Sequence, residues 1–336
     1  MTEELKTKYH KDYVRYLQFL SKIVSSVSLS SYSLETKINK IKKIKEISQK
    51  ILSELKQKYD INIISFDESQ TIINESNNIV TNTDYNFTNK KSLHIGINYF
   101  GTSNALNGCI NDVDNIVSFI TDKCGFSYSN VKILTDNTLK TPTKANILEE
   151  FTNLLKNSKE GELLFFTYSG HGTYTLDLNN DEQSGYDQAL VSLDMQYVLD
   201  DEIKSIIDVY LPENVTLFAL IDACYSGSSL DLHYQYFDTL NNNFTTTTSN
   251  TKTKGKVIMI SGSNDKQTSA DAYINGQYAG AMTWSLLSSL KDNFKCSWNE
   301  LIESMRSKLS KELMTQIPQL SSGNILNVNN NCVLTS

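Results

Sequence analysis

The run ELLFFTYSGHG at residues 162–172 decides how this chain is read. From Leu163 to Tyr168 every residue but Thr167 is apolar or aromatic, and Ser169, Gly170, His171 and Gly172 follow at once. A strand with one wet face alternates apolar and polar residues. A nearly continuous apolar run is what a central parallel strand, covered on both faces, requires. VTLFALIDACYSG (215–227) repeats the pattern and also ends in small and polar residues. KVIMISGS (256–263), SLHIGIN (92–98) and NVKILTD (130–136) are three further runs of strand length. Helical stretches separate them: Asn111 to about Lys123, one opening near Pro142, one after Gly280 and one after Trp298. The alternation predicts an α/β fold, an open and mostly parallel sheet with helices on both faces.

Outward from this frame the composition changes. Residues 1–62 read as a helical N-terminal segment of two amphipathic helices. Tyr9, Tyr13, Tyr16, Leu17, Leu20, Ile23 and Val24 share one face of the first, and Leu34, Ile38, Ile41, Ile44, Ile51 and Leu55 mark the second. These stripes are suited to packing on each other or on the body, or to binding a partner or membrane surface. Residues 63–90 are polar, rich in Asn and Thr, and read as a linker; 91–336 form the α/β domain. Within it, TLNNNFTTTTSNTKTKG (239–255) is low-complexity and reads as a mobile loop.

Bulk properties exclude several classes. The net charge is −7, yet residues 1–60 carry 13 Lys and Arg against 7 Asp and Glu, so the body is acidic. That argues against nucleic acid as a partner and suits a cationic substrate. Five scattered cysteines without a CxxC pair imply neither a zinc site nor a disulfide framework, and fit a reducing compartment. No run of about 18 apolar residues is present, so no membrane span is expected. MTEELKTKYHKDY at the start lacks the apolar core of a secretory signal. Cytoplasmic residence follows, with the nucleus as the other option.

Ligands of open parallel sheets sit outside the carboxyl ends of the strands. One such end carries Ser169-Gly170-His171-Gly172 and another Asp222-Ala223-Cys224-Tyr225-Ser226-Gly227. A histidine beside a cysteine lowers the thiol pKa and supplies the thiolate nucleophile at neutral pH. Glycines around both allow close backbone approach, and their N–H groups can stabilise an oxyanion. Taken singly, a strand-end cysteine or histidine is as well explained by packing.

YSGHG, DACYSGS, GCINDVDN, SGSNDKQTSADAYINGQYAGAMTWSLL and QIPQLSSG occur in this order and together resemble the type I metacaspases. The likeness runs from about Lys91 to about Gly323. It implies a caspase-like domain and a cysteine endopeptidase that cleaves protein or peptide substrates after Arg or Lys. It further implies activation by calcium and a monomeric state. By position, His171 matches the general base and Cys224 the nucleophile, with Gly172 and Cys224 as oxyanion donors. The pocket for the basic P1 side chain matches Cys109, Asp112, Ser169 and Asp222. Paired carboxylates are what a desolvated guanidinium requires, though Asp112 equally suits a helix N-terminus. The calcium ligands match Asp187, Asp200, Asp201 and Asp231, an all-oxygen set fit for a hard cation. DLNNDEQSGYDQ is not an EF-hand loop, because Glu182 stands where that loop needs Gly. Lys252 and Lys254 in the polar loop, with Lys256 just beyond it, are positions for self-cutting. Tyr225 replaces a family histidine, which leaves open a weakly active homologue acting as a scaffold. A paracaspase-like enzyme is another reading, and a flavodoxin-like binding module lacks the phosphate-cradling turns it would need.

Overall fold

A computed structural model describes Thr36, Lys43 and residues 85–176, 186–224, 229–239, 243–246, 252–263, 272–274, 277–314 and 316–335. The chain divides into two units, Met1–Ile79 and Val80–Ser336. Of the first, only Thr36 and Lys43 are described, both helical. The reading of residues 1–62 as two amphipathic helices otherwise lies outside the described residues.

Five parallel strands form the centre of the second unit: β1 (Asn89–Gly96), β2 (Val131–Thr135), β3 (Glu162–Ser169), β7 (Thr216–Asp222) and β10 (Lys256–Ser263). With β13 (Ile317–Ser322), β8 (Tyr234–Asp238) and β9 (Asn243–Thr246), all antiparallel, they make one sheet in the order β2-β1-β3-β7-β10-β13-β8-β9. A side sheet holds β4 (Gly172–Leu176), β5 (Tyr186–Val191) and β6 (Tyr197–Leu199), and β11 (Ala272–Ile274) pairs with β12 (Gln277–Ala279) as a separate hairpin. The helices are α1 (Cys109–Lys123), α2 (Lys144–Lys156), α3 (Asp200–Tyr210), α4 (Ala281–Asp292) and α5 (Trp298–Lys311).

The unbroken apolar runs are explained by two cores, one on each face of the sheet. Phe165, Phe218 and Leu220 join Ile116, Ile120, Leu286 and Trp298 on the face of α1, α4 and α5. Phe165 stacks on Phe218 at 5.0 Å, with Trp298 set edge-on at 5.4 Å. The alternate residues Leu164, Phe166, Leu217, Ala219 and Ile221 join Ile147, Phe151, Ile203 and Ile207 on the face of α2 and α3. Burying one such side chain is worth about 1.5–3 kcal/mol, so the two cores clamp the sheet between its helix layers.

Two expectations need correction. The linker does not extend to residue 90: β1 begins at Asn89, and Tyr85 and Phe87 before it stack at 5.5 Å against the core. The segment 239–255 is not a loop throughout. Asn243–Thr246 form β9, because β-branched threonines favour extended backbone and Phe244 packs on Tyr234 and Tyr236. The helix expected to open near Pro142 is α2, which starts at Lys144. Thr143 caps it, its side chain accepting from the Asn146 N–H, and the Pro142 carbonyl accepts the Leu193 N–H at 2.9 Å.

One core residue titrates. His94 on β1 is fully buried, with Nδ1 2.9 Å from Thr167 Oγ1 and Nε2 without a partner. Burial disfavours the imidazolium and pushes the pKa down to about 3. The unfolded chain takes up this proton near pH 6.5 and the folded one does not. Stability from this group is therefore present above pH 6.5 and is lost progressively as pH falls towards 3. Between pH 7.5 and 5 the chain should lose about 2 kcal/mol more than a His94→Asn variant, read from urea midpoints. Equal losses in both would show that His94 is not the group responsible.

Candidate active site

The carboxyl ends of β3 and β7 lie side by side, with Ser169 opposite Asp222 and the Gly170 N–H donating to the Asp222 carbonyl at 3.3 Å. His171 and Cys224 each follow two residues beyond this pair, so the pairing of two central strands carries both to one end of the sheet. A Cβ at Gly172 would stand 1.9 Å from the Cys224 carbonyl oxygen. Only glycine lets the histidine segment run that close to the cysteine. Val191 N–H donates to the His171 carbonyl at 3.0 Å, which makes Gly172 and Leu190 a non-hydrogen-bonded pair. The Gly172 N–H thus points away from β5.

Cys224 is partly exposed, whereas Cys109, Cys124, Cys296 and Cys332 are buried. Burial pushes the Cys124 thiol up to about 12 and that of Cys296 to about 11, and raises Cys332 well above its ordinary value. Such thiols stay protonated and inert. Cys224 is the one thiol of the five that a reagent can reach. His171 Nε2 lies 2.7 Å from the Asn104 carbonyl. Facing an acceptor, Nε2 carries the proton, which leaves the Nδ1 lone pair to accept one. The Tyr99 ring packs on the imidazole, centroids 4.6 Å apart.

Beside this pair stand two buried carboxylates. Asp112, in the first turn of α1, accepts the Gly280 N–H at 2.8 Å and the Ser169 hydroxyl at 2.6 Å. Cys109 lies one turn earlier and is also buried. Asp222, the last residue of β7, accepts the Thr283 N–H at 2.8 Å through Oδ2, while its buried Oδ1 has no hydrogen-bond partner. A Cβ at Gly280 would stand 2.2 Å from Asp222 Oδ2 and 2.5 Å from Asp112 Oδ2, so both carboxylates converge on the space this glycine leaves. Burial raises the Asp222 pKa to about 6, and the Thr283 and Met282 hydrogen bonds offset only part of the rise. A cavity of about 280 Å³ between α1, β12 and α4 reaches Asp112 and Thr283 but includes neither His171 nor Cys224. The four expected pocket residues, Cys109, Asp112, Ser169 and Asp222, are thus buried around the ends of β3, β7 and α1.

The expected cation ligands are less gathered. Asp200 opens α3 and is buried; Oδ2 accepts the Gln188 N–H at 2.7 Å and Oδ1 the Asp201 N–H at 3.0 Å. The first bond brings Asp200 against β5 next to position 187, although the Asp187 side chain lies outside the described residues. Asp231 is buried with φ of 43° in the segment beyond Cys224. Among the described residues, no three acidic, histidine or cysteine side chains stand close enough to hold a metal ion. Tyr225 also falls outside them. Lys252 and Lys254 are exposed, but Thr253 between them is buried and tied to Gly255 and Asn324. Lys256 opens β10, opposite Thr216, with its peptide inside the parallel ladder, a more constrained position than Lys252 or Lys254.

Sequence reading missed Tyr99, Asn104, Gly280 and Thr283. Tyr99 and Asn104 follow the carboxyl end of β1, a third strand end at which side chains of the site were to be sought. No local signal marked Gly280 or Thr283, which touch the carboxylates only through tertiary packing.

A family model described as metacaspase, peptidase C14 domain, matches residues 90–233. Metacaspase-1 of Kluyveromyces lactis is 36% identical over 71% of this chain and 67% of its own length. Metacaspase-1 of Emericella nidulans is 37% identical over 71% of this chain and 72% of its own. A solved structure of a Geobacter sulfurreducens protein aligns with a TM-score of 0.51 at 22% identity, over 70% of this chain and 93% of that one, a likeness of fold alone. Among the described residues no helix is long and apolar enough to cross a membrane. With an accessible cysteine and a histidine at adjacent strand ends of a mostly parallel sheet, and relatives of this identity and coverage, the chain belongs to the metacaspase family of cysteine peptidases.

Proposed function

We propose that the chain is an endopeptidase that cleaves after Arg or Lys by a His171–Cys224 dyad. His171 Nδ1 takes the thiol proton and the Cys224 thiolate attacks the substrate carbonyl carbon. The Gly172 and Cys224 N–H groups receive the oxyanion. The imidazolium then gives its proton to the leaving amine as the peptide bond breaks, leaving a thioester. Water, deprotonated by His171, attacks the thioester carbonyl, and the thiolate leaves as the acid is released. Cys224→Ala or His171→Ala should each lower turnover of an Arg-peptide by ~10²–10⁴-fold, and the double variant by little more than either. Full activity in Cys224→Ala moves the nucleophile elsewhere.

The observation that carries the specificity is the buried, partnerless Asp222 Oδ1 beside Asp112. Two carboxylates so placed need a cation, and a guanidinium or ammonium on the P1 side chain supplies it. Gly280→Ala should push them apart and cut kcat/KM for Arg substrates by roughly 10²-fold, with alkylation of Cys224 unchanged. Because a raised carboxyl pKa means protonation below it, kcat/KM should also fall as pH drops through about 6. That limb belongs to the free enzyme and is absent from kcat at saturation. A preference for Asp at P1 rejects this pocket.

Calcium activation and self-cutting complete the proposal. Asp187, Asp200, Asp201 and Asp231 are hard oxygen donors from β5, the start of α3 and the segment after Cys224, and a bound Ca²⁺ would order these segments rather than take part in bond cleavage. Lys252 and Lys254 are the sites for cutting. Intact-mass analysis should find a break after one of them in millimolar calcium, none in chelator and none in Cys224→Ala. Equal cutting in chelator removes calcium from the account. A monomeric state is part of the same reading.

A further inference from the structure

We propose that Tyr99, held in place by Asp136, is a positioning residue for the general base, its hydroxyl spliced into the β4–β5 ladder beside His171. This inference rests on the reading of His171 as the base.

In an antiparallel hydrogen-bonded pair, two residues exchange both N–H···O bonds. For His171 and Val191 only one is direct, from the Val191 N–H to the His171 carbonyl at 3.0 Å. The reciprocal bond is broken open. His171 N–H donates to the Tyr99 hydroxyl at 3.0 Å, and that hydroxyl donates on to the Val191 carbonyl at 2.6 Å. Tyr168 closes the network, with its hydroxyl 3.1 Å from that of Tyr99 and 2.8 Å from the His171 carbonyl. The backbone that carries the imidazole is thereby held off β5 by one oxygen atom. Burial raises the pKa of the Tyr99 hydroxyl, so it keeps the proton that it donates.

The same loop delivers the acceptor for the imidazole. The Tyr99 carbonyl accepts the Thr102 N–H and hydroxyl at 3.2 and 2.8 Å, and the Thr102 hydroxyl accepts the Asn104 N–H at 3.2 Å. The Asn104 carbonyl then faces His171 Nε2. Tyr99 stands at φ of 51°, a left-handed conformation unfavourable to a bulky side chain, which persists only where neighbours over-determine it. Asp136, just past β2, supplies that constraint. Its two oxygens accept the N–H groups on either side of Tyr99, from Asn98 at 2.8 Å and from Phe100 at 3.2 Å. Without the Tyr99 hydroxyl the His171 N–H loses its acceptor, while the Tyr168 hydroxyl still stands 2.8 Å from the Val191 carbonyl, so the backbone that carries the imidazole loses its fixed place beside Cys224.

The test uses the full chain and the pH dependence of Cys224 alkylation by iodoacetamide, read as a single mass addition because the other four cysteines are buried. A nearby imidazole lowers the thiol pKa, so the unaltered protein reacts well below the ordinary thiol value of about 8.5, and His171→Ala reacts only near it. Tyr99→Phe and Asp136→Ala should shift the profile towards that of His171→Ala, slowing alkylation at pH 6.5 about tenfold. Both should lower kcat by about 10–100-fold, part of the ~10²–10⁴ a base supplies, with KM little changed. Asp136→Asn, which keeps one acceptor oxygen, should recover part of the loss. An unshifted profile in Tyr99→Phe, with only a lower melting temperature, makes the network structural and overturns the proposal. If His171→Ala itself alkylates like the unaltered protein, the dyad is wrong, and the proposal falls with it.

Discussion

The parallel pairing of β3 with β7 is the constraint on which the rest depends. It is a local matter of backbone hydrogen bonds, yet it places Ser169 opposite Asp222 and so sets every neighbour of the site. A slip of one residue would send Phe165 and Phe218 to the wrong core, where aromatic stacking on one face and the α2–α3 packing on the other would both be lost. The chemistry at the strand ends is thus held in register by tens of buried apolar contacts far from it. That is a sound arrangement for a site that needs sub-ångström placement from irregular segments.

Around this pairing the site is built by close approach rather than by reach. Gly172 presses on the Cys224 backbone, and Gly280 leaves the space into which Asp112 and Asp222 converge. Both positions exclude even a methyl group. The cost is a pair of buried carboxylates with one unsatisfied oxygen, a charge that water cannot relieve. Under the proposed specificity, a cationic guest would relieve that charge when it binds. Two further buried carboxylates near the site accept hydrogen bonds within the protein: Asp112 from Gly280 and Ser169, and Asp200 from Gln188 and Asp201.

His171 is supported from a different direction. Tyr99 and Asn104 reach it from the loop after β1, and Asp136 anchors that loop from the end of β2. Four consecutive parallel strands therefore each contribute at their carboxyl ends: β2 the anchor, β1 the supporting loop, β3 the histidine and β7 the cysteine.

What the sequence determined by itself is the part written in contiguous residues. Continuous apolar runs marked β1, β2, β3, β7 and β10, because doubly covered strands can hold little else; the motifs at their ends marked His171, Cys224 and Asp222, and GCINDVDN at the start of α1 marked Asp112. Short strands in polar company escaped it. β4 to β6, β8, β9, β11 and β12 carry Thr, Tyr, Gln and Asn, and become strands only where a neighbour supplies hydrogen bonds and an aromatic surface, as Tyr234 and Tyr236 do for Phe244. Only the tertiary structure decided that Lys256 is locked in a ladder, that Gly280 spaces the carboxylates, and that a tyrosine hydroxyl interrupts the strand pair beside His171. Each of these joins residues distant in the chain through directional bonds a few ångströms long, and periodicity along a sequence carries no record of such distances.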